Sequence, residues 1–146
     1  MTQKDWALQD FRRAELILAE AHAYREKGAW NLVVRRSQEA VELALKAALR
    51  FVGVDPPRVH DVGPSLREHA SKFPPNFAAV IPKLASISRA LRNERETSLY
   101  GEPDTGTPPE ALFLRKTLVR LWRRQNLCLR FVGNCWWGGM SGDRFA

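Results

Sequence analysis

Apolar side chains recur along most of this chain at the 3.6-residue spacing of an amphipathic α-helix. The first such stripe consists of Ala7, Phe11, Ala14, Leu18 and Ala21, with Trp6, Leu8 and Ile17 beside it. Thr2 and Asp5 form a capping pair before this stripe, and Gly28 follows it. The pattern therefore predicts a first helix over about residues 4–27.

A second stripe predicts a helix over about residues 30–52 with a packing face of small side chains. Its members are Val33, Ser37, Ala40, Val41, Ala44, Ala48 and Val52, with Leu45 and Leu49 beside them. Small side chains let a neighbouring helix approach closely. Gly53 closes the helix, and Asp55-Pro56-Pro57 forces an extended turn after it.

The next part of the chain divides into one short and one long helical segment. Pro64 suits the first turn of the short helix, whose Leu66 and Ala70 face inward. The long segment, over about residues 77–99, has the apolar positions Val80, Leu84, Ile87 and Leu91. Pro82 within it introduces a kink or marks the true start of the helix.

The last helical segment begins at Pro108, after the turn-rich loop GEPDTGTPP, and extends to about Phe131. No part of the chain shows the alternating pattern of a strand. Four long helices and one short helix predict an all-α, antiparallel up-and-down bundle over residues 1–132. Residues 133–146 form a glycine-containing tail with Trp136 and Trp137, which we expect to pack against the bundle or a dimer partner rather than remain disordered.

Composition and charge narrow the class of protein. The chain has 146 residues, of which 45% are hydrophobic and 27% charged, as in one soluble globular domain. Its net charge of +7 favours contact with phosphates or acidic partners, although a solvated basic surface gives the same number. No apolar run suits a membrane span or a signal peptide, so we expect a cytoplasmic protein without membrane contact.

The spacing of possible metal ligands gives no support for a metal site. Cys128 and Cys135 are the two cysteines, and no histidine cluster lies beside them. We interpret both as reduced thiols, and we predict neither a metal nor a cofactor. His22 and His69 fall within helices, where surface or partly buried positions explain them.

The segment RNERETSLYG, residues 92–101, concentrates charge at the end of the predicted long helix. Arg92 and Glu96 are four residues apart, which suits a surface ion pair worth ~0.3–0.5 kcal/mol. Arg92 is equally suited to a phosphate, because a guanidinium presents paired donors. Tyr100-Gly101 has the form of a helix end. Residue types alone leave the structural and the functional interpretation open.

The order of these segments resembles HEPN domains, a prokaryotic family of helical bundles often encoded beside minimal nucleotidyltransferases. The resemblance rests on SQEAVELALKAAL in the second helix, on the loop of residues 57–63, and on ISRALRNERETSLYG followed by PDTGTPPEALF. It covers roughly residues 5–132. It implies an all-helical bundle, commonly a homodimer, that works with a nucleotidyltransferase partner in a toxin–antitoxin-like or nucleic-acid-linked system.

In active members the resemblance implies a metal-independent RNase. The motif of these members is an Arg, usually followed by a polar residue, then three more residues and a His. Arg92 and Asn93 take the first two positions and are the candidate catalytic residues, but Thr97 stands where the His belongs. No histidine follows Arg92 in the sequence. Threonine supplies no proton acceptor near neutral pH, so we expect little or no cleavage.

The candidate residues for binding RNA or a nucleotide are Arg89, Arg92, Arg95, Tyr100 and His60. Some family members are regulated by nucleotide transfer onto a Tyr just after the motif His, and Tyr100 lies near that place. His60 beside Asp61 is either a proton-transfer pair or part of a helix cap.

A separate candidate nucleic-acid surface lies on the last helix. Trp122 is adjacent to Arg120, Arg123 and Arg124 there, which suits base stacking beside a basic surface, although a core or interface tryptophan is the commoner role.

Three hypotheses follow from these residues. The first is a dimeric, non-cleaving HEPN-type module that binds a nucleotidyltransferase, RNA or a nucleotide. The second is an RNase toxin in which folding or the dimer partner brings His60 or His69 to Arg92. The third is a purely structural dimer, which ion pairs from Glu94 and Glu96 around Arg92 would favour. We expect the dimer interface on the last two long helices or on the small-residue face of the second helix.

Overall fold

The computed structural model describes residues 1–112, Arg130, Val132 and Gly133 of the chain. Within this part every regular element is helical and no strand occurs, which confirms the all-α prediction. The α-helices are α1 (Gln3–Glu26), α2 (Trp30–Phe51), α3 (Gly63–Glu68), α4 (Pro75–Ala78), α5 (Ile81–Glu94), α6 (Thr97–Tyr100) and α7 (Pro109–Leu112). A 3-10 helix, Ala70–Lys72, lies between α3 and α4.

Helix α1 begins where the sequence predicts, because its first turn is capped in both directions. The Asp5 backbone N–H donates to Thr2 Oγ1 at 3.1 Å, and the Thr2 backbone N–H donates to Asp5 Oδ2 at 2.8 Å. All five positions of the predicted stripe are buried. Trp6 is an exception to the wider stripe that we predicted, because 48% of its surface is exposed.

Helices α1 and α2 pack against each other along their lengths, and this pair forms most of the core. The small residues of α2 are buried here, and they are Ser37, Ala40, Ala44, Ala47 and Ala48. The expectation that this face meets a second copy is therefore wrong, since the protomer itself covers it. Asp10 of α1 and Arg50 of α2 add an interhelical ion pair, with Asp10 Oδ2 2.9 Å from Arg50 Nε.

Helix α3 lies in close contact with α5 at Gly63. A Cβ on Gly63 would lie 3.0 Å from the Ala85 Cβ and 3.2 Å from its Cα. Below this contact, the rings of Phe73 and Phe77 stack with centroids 4.7 Å apart. These contacts attach the middle of the chain to the α1–α2 pair through one hydrophobic core.

The long helix predicted over residues 77–99 is divided into three. Pro82 stands in the first turn of α5, so it marks the true start of that helix. Helix α5 ends at Glu94, where the Arg95 backbone N–H donates to the Arg92 carbonyl three residues back at 3.2 Å. A tightened turn replaces the α-helical ladder there, and α6 begins again at Thr97.

A reverse turn follows α6. Gly101 has φ +73°, and a Cβ on it would overlap the Thr107 carbonyl oxygen. Glu102 and Thr107 pair across the turn through two backbone hydrogen bonds of 2.9 and 3.2 Å.

Most of the helix predicted over residues 108–131, and the tail of residues 133–146 apart from Gly133, lie outside the described residues. No helix in the described part is both long enough and apolar enough to cross a membrane.

Candidate functional site

The two retained motif residues lie on the last turn of α5 and face solvent. Arg92 and Asn93 are both exposed, and their side chains make no hydrogen bond or ion pair with the described residues. The surface ion pair between Arg92 and Glu96 is therefore not formed.

Thr97, at the position of the motif histidine, is the first residue of α6. Its Oγ1 donates to the Glu94 carbonyl at 3.2 Å, which closes the turn between the two helices. The hydroxyl thus has a structural role. Glu94 and Glu96 form no ion pair with Arg92 in the part of the chain that the structure describes, so the arrangement that favours a purely structural site is missing there.

Two further candidate residues surround this end of α5. Arg89 is exposed one turn before Arg92 on the same helix. Tyr100 ends α6 with 77% of its surface exposed. Both are accessible to a ligand, and neither forms a hydrogen bond or ion pair with Arg92.

Arg95 follows α5 at the turn itself, and its side chain points towards α2. It is half-buried, and its Nη1 donates to Gln38 Oε1 of α2 at 2.7 Å. Gln38 is only 2% exposed. Its amide nitrogen in turn donates to Glu42 Oε2 at 2.6 Å. Arg92 and Arg95 are three residues apart, but the Arg92 side chain lies in solvent whereas the Arg95 side chain is bonded to α2.

Gln38 and Glu42 belong to a line of polar side chains that runs along α2 at intervals of four residues. We call Gln38, Glu42 and Lys46 the polar row. Lys46 Nζ lies 2.8 Å from Glu42 Oε1, with both side chains largely buried. Burial disfavours the charged form of Glu42, but hydrogen bonds from Lys46, His60 and Gln38 outweigh it, so the pKa of Glu42 lies below its ordinary value.

His60 joins the polar row from the loop between α2 and α3. Its Nδ1 lies 3.0 Å from Glu42 Oε2, and half of its side chain is exposed. The proton-transfer pair proposed between His60 and Asp61 is not formed. Asp61 Oδ1 instead accepts hydrogen bonds from the Gly63 N–H at 3.1 Å and Ser88 Oγ at 3.2 Å. Asp61 therefore fixes the start of α3 against α5.

The structure thus separates the candidate residues into two groups. Arg89, Arg92, Asn93 and Tyr100 lie on an exposed surface, whereas Arg95 and His60 are joined through Gln38 and Glu42. The residue types alone assigned no role to the polar row. Its signal in the sequence is the four-residue interval between Gln38, Glu42 and Lys46.

Other candidates remain without support from the structure. His69 contacts Glu68 at 3.9 Å, a long ion-pair distance. The described residues contain no group of three or more side chains that could hold a metal ion. Trp122 and its neighbouring arginines lie outside the described residues, as do Trp136 and Trp137.

Comparison with known proteins agrees with the resemblance in the sequence. The family model described as "HEPN domain" matches residues 8–125. No curated protein and no solved structure matches the chain. The match spans well over half of the chain, including α2 with the polar row, the whole end of α5 and most of α1. This chain is therefore a member of the HEPN domain family.

Proposed function

We propose that this chain is a HEPN-type module that binds RNA or a nucleotide at the end of α5 without cleaving it. The observation that carries the proposal is the contrast between Arg92 and Thr97. Arg92 is exposed and unpaired among the described residues, and so is the Asn93 beside it. Thr97 carries no titratable group, and its hydroxyl is committed to the Glu94 carbonyl.

The chemistry of RNA cleavage explains why binding and cutting separate here. Attack by a 2′-hydroxyl needs a proton acceptor and a proton donor near neutral pH, and positioned groups of this kind contribute about 10²–10⁴-fold. A guanidinium remains charged and offers paired donors to phosphate oxygens. The net charge of +7 adds a long-range attraction for the same ligands.

The proposal includes partners. We place the module in the cytoplasm as a homodimer that associates with a minimal nucleotidyltransferase in a toxin–antitoxin-like or nucleic-acid-linked system. Membership of the HEPN family supports the proposed dimer and the proposed nucleotidyltransferase partner. Sedimentation of the purified chain, alone and with a nucleotidyltransferase encoded beside it, tests both associations.

The site itself is tested with a labelled RNA in the presence of a metal chelator. The wild-type chain is compared with Arg92→Ala and with Arg67→Ala, a matched control that removes the same charge from an exposed position on α3. We expect no cleavage by any of the three proteins. We expect binding to weaken about three- to tenfold in Arg92→Ala relative to Arg67→Ala, because one phosphate contact is lost.

Cleavage that disappears in Arg92→Ala overturns the non-cleaving assignment. Equal binding by the two variants means that RNA does not contact Arg92, and the partner protein then remains the proposed ligand of the module.

A second candidate function, metal-independent RNA cleavage with His60 as the acid–base residue, is favoured by one contact. Glu42 accepts a hydrogen bond from the His60 imidazole, and such a carboxylate fixes ring orientation in known acid–base sites. Chelator-resistant cleavage that is lost in both His60→Ala and Arg92→Ala supports this function. Cleavage lost in neither variant points to a contaminating nuclease.

A further inference from the structure

We infer that Arg95 and His60 form a ribonucleotide-recognition site in which Arg95 binds a phosphate and His60 accepts a hydrogen bond from the neighbouring ribose 2′-hydroxyl. Gln38 and Glu42 are its positioning residues. The inference rests on the proposed function, since it names which atoms of RNA or of a free ribonucleotide the module contacts.

The first support is proximity. Hydrogen bonds of 2.7, 2.6 and 3.0 Å lead from Arg95 to Gln38, from Gln38 to Glu42, and from Glu42 to His60. Because the oxygen and nitrogen of the connecting amide are close together, Arg95 Nη1 and His60 Nδ1 lie at most roughly 11 Å apart. One nucleotide, with its phosphate and its ribose, spans a gap of this size.

The second support is the charge on Arg95. Its partner is the neutral amide of Gln38, and no carboxylate of the described residues forms an ion pair with it. Glu42 does not neutralise it, because Glu42 is already paired with Lys46. A half-buried guanidinium with a neutral partner retains both its charge and further donors, which a phosphate satisfies with paired hydrogen bonds.

The third support is the orientation of His60. With Nδ1 at the Glu42 carboxylate, the proton of the neutral ring lies on Nδ1, and Nε2 remains as an acceptor on the opposite side of the ring. Half of the side chain is exposed, and because Nδ1 faces Glu42 we place Nε2 on the exposed side. A 2′-hydroxyl is a donor that suits this acceptor, and it is also the group that distinguishes RNA from DNA.

Gln38 can hold Arg95 and Glu42 together in only one orientation of its amide. The oxygen must face the guanidinium, which has only donors, and the nitrogen must face the carboxylate, which has only acceptors. The buried amide is neutral and therefore changes the charge of neither neighbour. It fixes the distance between the phosphate-binding and the hydroxyl-binding side chain.

The experiment compares a short single-stranded oligoribonucleotide with its 2′-deoxy counterpart by fluorescence anisotropy over a series of salt concentrations. Wild-type protein should prefer RNA about three- to tenfold, the effect of one hydrogen bond. His60→Asn keeps an amide nitrogen near the position of Nδ1 but removes Nε2, so its RNA preference should disappear while its stability is retained. His69→Asn is the matched control.

Arg95→Ala should weaken binding of both oligonucleotides and lower the slope of log K against log salt concentration by about 0.7, the value for one phosphate contact on a single strand. Arg67→Ala again removes an equal charge elsewhere and should leave the slope unchanged. Calorimetric titration with ATP and 2′-deoxy-ATP tests whether the ligand is a free ribonucleotide rather than RNA. In that case the wild-type protein should bind ATP more tightly than 2′-deoxy-ATP, and His60→Asn should bind both equally.

A purely structural polar row gives a different result. RNA would then bind with the same preference in His60→Asn and the same salt slope in Arg95→Ala, and the inference would be overturned while RNA binding through Arg92 still stood. Failure of the wild-type protein to bind RNA, DNA and ATP alike would overturn both this inference and the proposed ligand.

Discussion

The polar row of α2 and the exposed end of α5 both consist of charged and amide side chains, but the first is largely buried and hydrogen-bonded whereas the second faces solvent. Glu42 and Lys46 are largely buried, and they are joined to each other and to Gln38 by hydrogen bonds. Arg92 and Asn93 are exposed and without partners among the described residues. The exposed residues Arg92 and Asn93 are therefore available to a ligand without a part in folding, whereas the polar row holds Arg95 in place through Gln38.

This difference separates two uses of charge. A buried polar network contributes only while all its members are present, because each lost partner leaves a desolvated group behind. An exposed guanidinium contributes almost nothing to folding and stays available for a ligand. Substitutions in the two regions should consequently change different measurements.

The largest effect is expected from supplying the missing group at the end of α5. Thr97→His places an imidazole at the motif position, five residues after Arg92, and should raise chelator-resistant RNA cleavage at least about 10²-fold above wild type. A gel assay with labelled RNA measures the rate. Thr105→His, in the exposed turn after α6, is the control. An inactive Thr97→His protein that still binds RNA would show that this segment cannot form a nuclease site.

Removing the centre of the polar row should produce the largest loss of stability. Gln38→Ala leaves Arg95 and Glu42 without their shared partner, and we expect the free energy of unfolding to fall by about 2 kcal/mol. Urea denaturation followed by circular dichroism measures it. A change below about 0.5 kcal/mol would mean that water replaces the amide, so that the row is not a cooperative network.

Acid should destabilise the polar row through Glu42. The folded-state pKa of this carboxyl lies below its ordinary value of 4.5, so its contribution is fully present above that pH. The contribution is lost as the pH falls below 4.5 towards the lower folded-state value. Glu42→Gln should therefore show a flatter fall of the urea midpoint in this range than wild type, whereas Glu110→Gln, at an exposed position, should follow wild type.

The smallest effect is expected at Arg92 itself. Arg92→Ala should alter the free energy of unfolding by less than about 0.5 kcal/mol, since the side chain has no partner among the described residues. The same urea titration measures it beside Gln38→Ala. A loss as large as that of Gln38→Ala would place Arg92 in a folding contact and would remove the main reason for assigning it to a ligand.

The helices were predictable where a single local signal dominated. The first two apolar stripes are long and regular, and α1 and α2 bury them as predicted, apart from the exposed Trp6 beside the first stripe and the half-buried Val52, which follows α2. The break at Arg95 was not predictable, because Leu91 and Leu99 continue the helical spacing across it. The partner of His60 was hidden for a different reason, since Glu42 lies 18 residues earlier and Asp61 is adjacent in sequence.

The motif positions show the same limit. Arg92 could be named from its place in a familiar pattern, but that pattern did not distinguish its surroundings from those of Arg95. Only the packing of α2 against the end of α5 assigns one arginine to solvent and the other to Gln38.

The turn after α6 limits which amino-acid substitutions this part of the chain tolerates. Both Gly101 and Gly106 have positive φ, but space is open around Gly106, where asparagine is an acceptable replacement. At Gly101 every other residue meets the Thr107 carbonyl as well as the backbone strain. If both codons are randomised and folded variants are selected, we expect glycine alone at position 101 and several residue types at position 106. Every single substitution of Gly101 lowers stability, whereas some substitutions of Gly106 do not.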